Sequence, residues 1–246
     1  MTFVKWIGGK GNILPELDKL LPPMNKIEGY IEPFLGGAAL FFYLKENYLK
    51  RNTPVYLSDL NPELINTFRV VRDDPQELML KLDVLYDKHD KKFFHTVRDN
   101  YNIIKVDNIE KAACFIYLNK TCFNGQWKVD LKGNPNFGLG HPEKVTLYDR
   151  QEIEKCSGLL QEAKLNCISY EKALKINEGN LKGWYCFEDP PYDGTTKAYT
   201  IDKFVHGRNI LKRTFDIFDE KGSYVMLSNS RNALMNAEFK KYHIFI

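Results

Sequence analysis

Tyr30-Ile31-Glu32-Pro33-Phe34-Leu35-Gly36-Gly37, then a mostly apolar run over 38–49, then Val55-Tyr56-Leu57-Ser58-Asp59, is the stretch that decides the fold. Residues 30–32 read as a short strand that breaks at a proline and a glycine pair. Residues 38–49 read as a long apolar helix, and 55–58 as a second strand ending in an acid. Strand, glycine turn, helix, strand is how a doubly wound α/β sheet opens, and such sheets gather ligands at the carboxyl ends of their strands.

Outward from this unit the pattern changes character. Upstream, Trp6-Ile7-Gly8-Gly9-Lys10-Gly11 is a glycine and lysine loop, and 13–21 is an amphipathic segment that Pro22 and Pro23 bring to an end. Downstream, 62–119 has helical periodicity, with Leu78, Leu82 and Leu85, then Ala112, Phe115 and Ile116, at three- and four-residue spacing. A polar, glycine-bearing loop covers 121–141, and strand-like runs return at 166–169, 184–188 and 224–228. The implied organisation is a sheet domain from 1–61 and 151–246, interrupted by a mainly helical insertion at 62–150.

Composition narrows the function classes. A chain of 246 residues that is 43% hydrophobic can bury the core of one domain with an insertion. Its apolar stretches, such as 38–44, are too short to cross a bilayer, and 1–10 lacks the features of a signal peptide. Five cysteines, odd in number and never spaced C-x-x-C, fit neither a disulfide framework nor a metal site and suit a cytoplasmic protein. The histidines form no H-E-x-x-H cluster, so no metal is expected. Net charge is only +3, but 81–132 carries ten Lys/Arg against seven Asp/Glu, an excess compatible with a phosphate-facing surface or with a solvated face.

Asp189-Pro190-Pro191-Tyr192 follows directly on the strand at 184–188 and so sits at a carboxyl end. Read alone it could be a strand-ending turn. Read chemically, it suits an amine on an aromatic ring such as N6 of adenine, whose lone pair is delocalised and poorly nucleophilic. A carboxylate and a backbone carbonyl can both accept hydrogen bonds from that amine and draw it toward tetrahedral geometry. Consecutive prolines fix φ and hold the carbonyl still, and a tyrosine offers a face for an extruded base. The glycine turn after Glu32 lets backbone approach a ligand, and Asp59, at the end of the next strand, can take two ribose hydroxyls.

Together these segments resemble the Dam-like family of S-adenosylmethionine-dependent DNA adenine-N6 methyltransferases. The matching stretches are K-W-I-G-G-K (5–10), Y-I-E-P-F-L-G-G (30–37), L-S-D-L-N-P-E-L (57–64), F-I-Y-L-N-K-T-C-F-N-G (115–125) and F-E-D-P-P-Y (187–192), in the family's order. The resemblance implies a Rossmann-like methyltransferase sheet, S-adenosylmethionine as co-substrate and double-stranded DNA as partner. It implies cofactor contacts at Trp6, Lys10, Glu32, Phe34, Gly36, Asp59 and Asp189, and a catalytic set Asp189, Pro190, Pro191 and Tyr192. DNA contacts would fall at Lys5, Asn119, Asn124, Gln126 and Lys128, with 62–150 as target-recognition domain.

The chain also departs from the pattern. Ala38 follows Gly36-Gly37 where another small residue is usual, and Glu188 precedes Asp189 where the family has an apolar or small residue. Strand alternation would turn Glu188 away from Asp189. The recognition loop reads Asn124-Gly125-Gln126-Trp127-Lys128 and Asn134-Pro135-Asn136-Phe137-Gly138, in place of N-G-L-x-R and F-N-V-P-F-G. A lysine cannot form the planar fork of an arginine on guanine, so a GATC-type specificity does not carry over directly. Two other functions compete: an RNA or small-molecule methyltransferase on the same fold, and a catalytically dead relative that binds DNA or protein. Finally, 232–239 reads as a helix and 242–246 as a last, unpaired edge strand. The expectation is a shortened form, or a second chain that completes the sheet.

Overall fold

In the computed structural model, which describes residues 2–104, 108–141, 148–176, 180–192, 207–230 and 233–245, the chain enters through a 3-10 turn, Lys10–Ile13, and a short helix α1, Leu14–Asp18. β1 (Gly29–Glu32), α2 (Ala39–Asn47) and β2 (Val55–Asp59) follow. A run of helices comes next: α3 (Pro62–Asp73), α4 (Pro75–Asp87), α5 (Lys91–Asn100), α6 (Ile109–Thr121) and α7 (Arg150–Leu160). The chain then returns through β3 (Ala163–Cys167), α8 (Tyr170–Ile176), β4 (Trp184–Glu188), α9 (Gly207–Glu220), β5 (Tyr224–Leu227) and α10 (Ala233–Glu238).

The strands lie in the order β3-β2-β1-β4-β5 and every pair is parallel. Progress along the chain runs outward from β1 in one direction and from β4 in the other, so the topological switch point falls between these two. Both are buried along their whole length, as interior strands of a parallel sheet must be. Period-two alternation divides their side chains. Tyr30, Tyr185 and Phe187 join Val55, Leu57 and Leu165 in the main core, while Ile31, Trp184 and Cys186 pack with Leu181 and Phe218 on the other face. Gly29 is required here, because a Cβ on it would come within 2.4 Å of the Trp184 ring.

Helix α3 begins at Pro62 with the Asn61 side chain accepting from Leu64 N at 3.0 Å. It packs against β2 and β3 on one side and α6 on the other. α6 is buried from Lys111 through Thr121, on all sides, which is the signature of a central helix rather than a surface one. The main core therefore continues without a break from the sheet through α3 and α6 to Trp127 and Phe137. No helix among the described residues is long and apolar enough to cross a membrane. All five cysteines are free thiols.

The elements read from sequence recur, with four differences. The strand expected at 166–169 is Ala163–Cys167, because Ala163 and Leu165 supply the buried face and Ser169 already accepts from Lys172 N and Ala173 N. The segment 13–21 is helical only over Leu14–Asp18, where Asp18 ties the turn to Tyr43 and Tyr48. The loop at 121–141 is more ordered than its polarity suggests: Asp130 and Asn134, and Val129 and Pro135, pair across a narrow hairpin. The edge strand expected at 242–246 is not formed over 242–245, and Ile246 lies outside the described residues. Tyr242 instead turns onto α9, its ring 4.7 Å from Phe215 and its hydroxyl 2.5 Å from Asp216.

Candidate functional site

The carboxyl ends of β1, β2 and β4 bring the expected site residues to one rim. Glu32 ends β1, buried, and accepts from the Tyr30 hydroxyl at 2.8 Å. Burial pushes its carboxyl up to about 8, with the Asp189 charge adding to the rise and Lys10 opposing it. Asp59 ends β2, and both its oxygens are engaged: Oδ2 accepts from Gly36 N and Oδ1 from Asn61 N, each at 3.0 Å. It thereby clamps the turn after β1 to the start of α3. Burial raises its pKa against the pull of those amides.

Asp189 follows β4. Its Oδ2 receives Lys10 Nζ at 2.6 Å, while Oδ1 is buried without a hydrogen-bond partner among the described residues. Lys10 is itself buried, with its ammonium also 2.6 Å from Gly8 O and 5.2 Å from the centre of the Tyr192 ring. Burial raises the Asp189 pKa, and Lys10 and the neighbouring Ser228 hydroxyl work against that rise. Pro190 is buried and Pro191 exposed. Glu188 points to the opposite face, wholly buried, 3.5 Å from the Thr214 hydroxyl, with burial pushing it up to about 8. Strand alternation thus separates the two adjacent carboxylates, as expected.

The glycine pair after β1 answers first to Trp6. A Cβ on Gly36 would lie 2.8 Å from the Trp6 ring, and Gly36 has a φ of +48°, in the left-handed region. Ala38 also has a left-handed φ, 56°, at the N-cap of α2, an unusual place for a residue with a Cβ. Phe34 stands half-buried with its ring 4.9 Å from that of Tyr170, the first residue of α8. No sequence motif marks Tyr170. It lies just beyond the strand at Ala163–Cys167, whose displaced sequence boundary hid its place on the rim.

The expected DNA-facing residues divide into two kinds. Asn124, with a left-handed φ of 54°, is exposed, and Gln126 and Lys128 are half-exposed along the hairpin. They flank Trp127, which is buried against Tyr101, Phe115 and Phe137. Asn119 is different. It is fully buried, and its amide accepts from Lys5 N at 2.7 Å and donates to Lys5 O at 2.8 Å. With both ends of the amide engaged by the backbone of Lys5, Asn119 lies beneath the surface that Lys5 forms and stands apart from the other expected DNA contacts. Lys5 lies half-buried with its stem over Gly125, where a Cβ would approach within 2.5 Å.

With this geometry in view, comparison with known proteins is direct. Residues 6–245 match the family of D12 class N6 adenine-specific DNA methyltransferases. The chain is 34% identical to the Type II methyltransferase M.MjaIII of Methanocaldococcus jannaschii over 94% of this chain and 84% of the relative. It is 31% identical to the Type II methyltransferase M1.LlaDCHI of Lactococcus lactis subsp. cremoris over 98% of this chain and 85% of the relative. A DNA adenine methylase of Vibrio cholerae is 28% identical over 93% of this chain and 80% of its own length. A match spanning nearly every residue, together with an Asp-Pro-Pro-Tyr rim at the switch point of a parallel sheet, makes the chain a member of the D12 class N6 adenine-specific DNA methyltransferase family.

Proposed function

We propose that this chain, a DNA adenine N6-methyltransferase by family, methylates a flipped-out adenine in duplex DNA with the rim around Asp189 as its active site. One observation carries the assignment: at the switch point Asp189 offers a buried oxygen, Oδ1, that holds no hydrogen bond among the described residues and has acceptor sites to spare. A buried polar atom without a partner is costly unless a ligand completes it. The N6 amine of adenine has the donor that Oδ1 lacks.

The residues present fit the co-substrate. Asp59 holds two backbone amides, one on each oxygen, and each oxygen has a further lone pair for a ribose hydroxyl. Phe34 and Tyr170 present half-buried rings suited to a purine, and Glu32, Gly36, Trp6 and Lys10 line the same rim. S-adenosylmethionine, when bound, supplies an electrophilic methyl group on a sulfonium. The chain's own groups do the rest: Asp189 and the Pro190 carbonyl accept from the amine, the proline pair holds that carbonyl rigid, and Tyr192 provides the face on which the base stacks. Residues 62–150 serve as the target-recognition insertion, with Lys5, Asn124, Gln126 and Lys128 toward DNA and α3 shared with the sheet. The Type II names of two relatives suggest a restriction–modification role for this chain too.

Transfer of tritium from labelled S-adenosylmethionine to DNA, to RNA and to neither tests this reading. Label should enter DNA alone, at N6 of adenine. Asp189→Ala should lower transfer by about 10³-fold or more while DNA binding survives, on the scale of losing a group that stabilises the transition state. Near-normal methylation by Asp189→Ala would remove the proposed active site. DNA binding without transfer by the wild-type chain would make it a binding module.

A further inference from the structure

Ser228 belongs to none of the motifs that mark this site in the sequence. β5 ends at Leu227, which stands opposite Glu188 in the parallel register. One residue further, Ser228 N donates to Glu188 O at 2.8 Å, so the ladder runs on past the strand and brings Ser228 level with Asp189. The Ser228 hydroxyl lies 3.0 Å from the Tyr192 hydroxyl. Lys10 meets the same two residues, its ammonium 2.6 Å from Asp189 Oδ2 and 5.2 Å from the Tyr192 ring centre.

The proline pair fixes the backbone φ that leads to Tyr192 but not the side-chain torsions that aim its ring. Those are set by what the ring and its hydroxyl touch. A serine hydroxyl has one donor and two acceptor sites. If Ser228 accepts from the Tyr192 phenol, its own proton is free to turn toward the Asp189 carboxylate, where Oδ1 keeps a second acceptor site for the amine. The neighbouring hydroxyl favours the ionised carboxylate, in keeping with that orientation.

We infer that Ser228 is a positioning residue for methyl transfer, fixing the Tyr192 ring relative to the Asp189 carboxylate so that stacking face and amine acceptor keep one geometry. This rests on the assignment of Asp189 and Tyr192 made above. Groups held to the productive geometry by a supporting hydrogen bond lose rate, rather than affinity, when the support is removed.

The test is a double-mutant cycle on the full chain with Ser228→Ala and Tyr192→Phe, each of which removes the same hydrogen bond from one end. Each should lower kcat about tenfold, the upper end for one such bond, with the KM for S-adenosylmethionine unchanged. The double variant should be no slower than the slower single one, because two groups joined by one bond cannot lose it twice. Ser228→Thr, which keeps the hydroxyl, should recover most of the rate. The acid limb of the kcat–pH profile should move upward in Ser228→Ala and stay in place in Tyr192→Phe. Multiplicative effects, no recovery with threonine or an unmoved acid limb would overturn the inference. If Ser228→Ala fails to fold, Tyr192→Phe decides alone, since it leaves β5 intact, and a normal kcat there would sink the idea. Asp189→Ala, run beside them, separates the failures: an active Asp189→Ala refutes the site, whereas an inactive one with a normal Ser228→Ala refutes only the role of Ser228.

Discussion

The rim of the sheet and the hairpin at 121–141 solve opposite problems. At the rim the functional groups are desolvated and cross-braced: Asp59 holds two amides, Asp189 holds Lys10, and Glu32 holds Tyr30. On the hairpin the side chains stand in solvent, Leu131 at the tip 90% exposed, and Asn134 is tied at the surface to Asn102 and Asp130. Rigidity there comes from beneath, from Trp127 and Phe137 in the core and from Asp130, whose carboxylate accepts from Lys132 N and Asn134 N. Chemistry needs fixed charges in a dry place, whereas recognition needs fixed backbone and free side chains. The N-terminal segment joins the two regions. Lys5 is pinned by Asn119 beneath the hairpin, Trp6 covers Gly36, and Lys10 reaches Asp189.

The comparison is most easily broken at Trp127, which lies beneath the proposed recognition groups without being one. Trp127→Ala should cost about 3–5 kcal/mol, the range for emptying a packed aromatic site in a core. Thermal unfolding would show a lower melting temperature, and sequence preference on DNA should blur because Gln126 and Lys128 lose the residue between them. A variant that melts normally would mean that the hairpin is held by something other than its aromatic base.

Asp59 probes the rim in the same way. Asp59→Ala should weaken S-adenosylmethionine binding by about 1–3 kcal/mol, the scale of a lost charge-assisted hydrogen bond, as read by calorimetry. It should also lower the melting temperature, because Gly36 N and Asn61 N lose their acceptor. Asp59→Asn keeps one acceptor and should spare much of the stability while still weakening the cofactor. Unchanged affinity in both variants would take Asp59 out of the cofactor site.

Most of the rim is legible in the sequence, and the reason is physical. Strand ends, glycine turns and acids at fixed separations are local features, and a doubly wound sheet converts them into neighbours by topology alone. What escaped reading depended on contacts between distant segments. Ser228 and Tyr170 matter through partners 36 and 136 residues away, Tyr192 and Phe34. Asn119 sits within a recognisable motif, yet its burial against Lys5 has no local signal. At the other end, 242–245 has the apolar, aromatic character of a strand, but Phe215 and Asp216 on α9 capture Tyr242 first. Residue pattern states a preference for extended backbone; only the packing decides whether a ladder is within reach.

Glu188 sharpens the contrast within the rim, since it shares the burial of Asp189 without a cation beside it among the described residues. Its carboxyl is pushed up to about 8 from an ordinary 4.5. The folded state therefore keeps a proton that the unfolded chain gives up. The contribution to stability is fully present below about 4.5 and is lost as pH rises toward about 8. Glu32 is shifted to about 8 as well and acts in the same direction. Glu188→Gln should leave stability near pH 4.5 little changed and raise it at pH 8 and above, by at most about 4 kcal/mol for a shift of that size, relative to the unmodified chain. Melting curves at the two pH values measure the difference. A gain that is larger at low pH would reverse the assigned protonation.

The smallest effect is expected at Lys128, and it bears most directly on recognition. Lys128 and Gln126 sit either side of the buried Trp127, and both are half-exposed. Asn136 N donates to Lys128 O at 2.9 Å, which fixes the backbone from which the side chain projects. A lysine on a base edge contributes discrimination of about 1 kcal/mol, below the 1–3 kcal/mol of a good bidentate pair, because its ammonium is a single point of charge. Lys128→Ala should therefore change which sequences are methylated in a random DNA library, at one position of the site, with the overall rate only modestly reduced. A lysine that touches phosphate alone behaves otherwise: its loss weakens all sequences about equally and lowers the salt slope by about one. Methylation profiling at two salt concentrations separates the two. An unchanged preference with a shallower slope would move Lys128 from the base edge to the backbone and leave Gln126 and Asn124 as the readers on this hairpin.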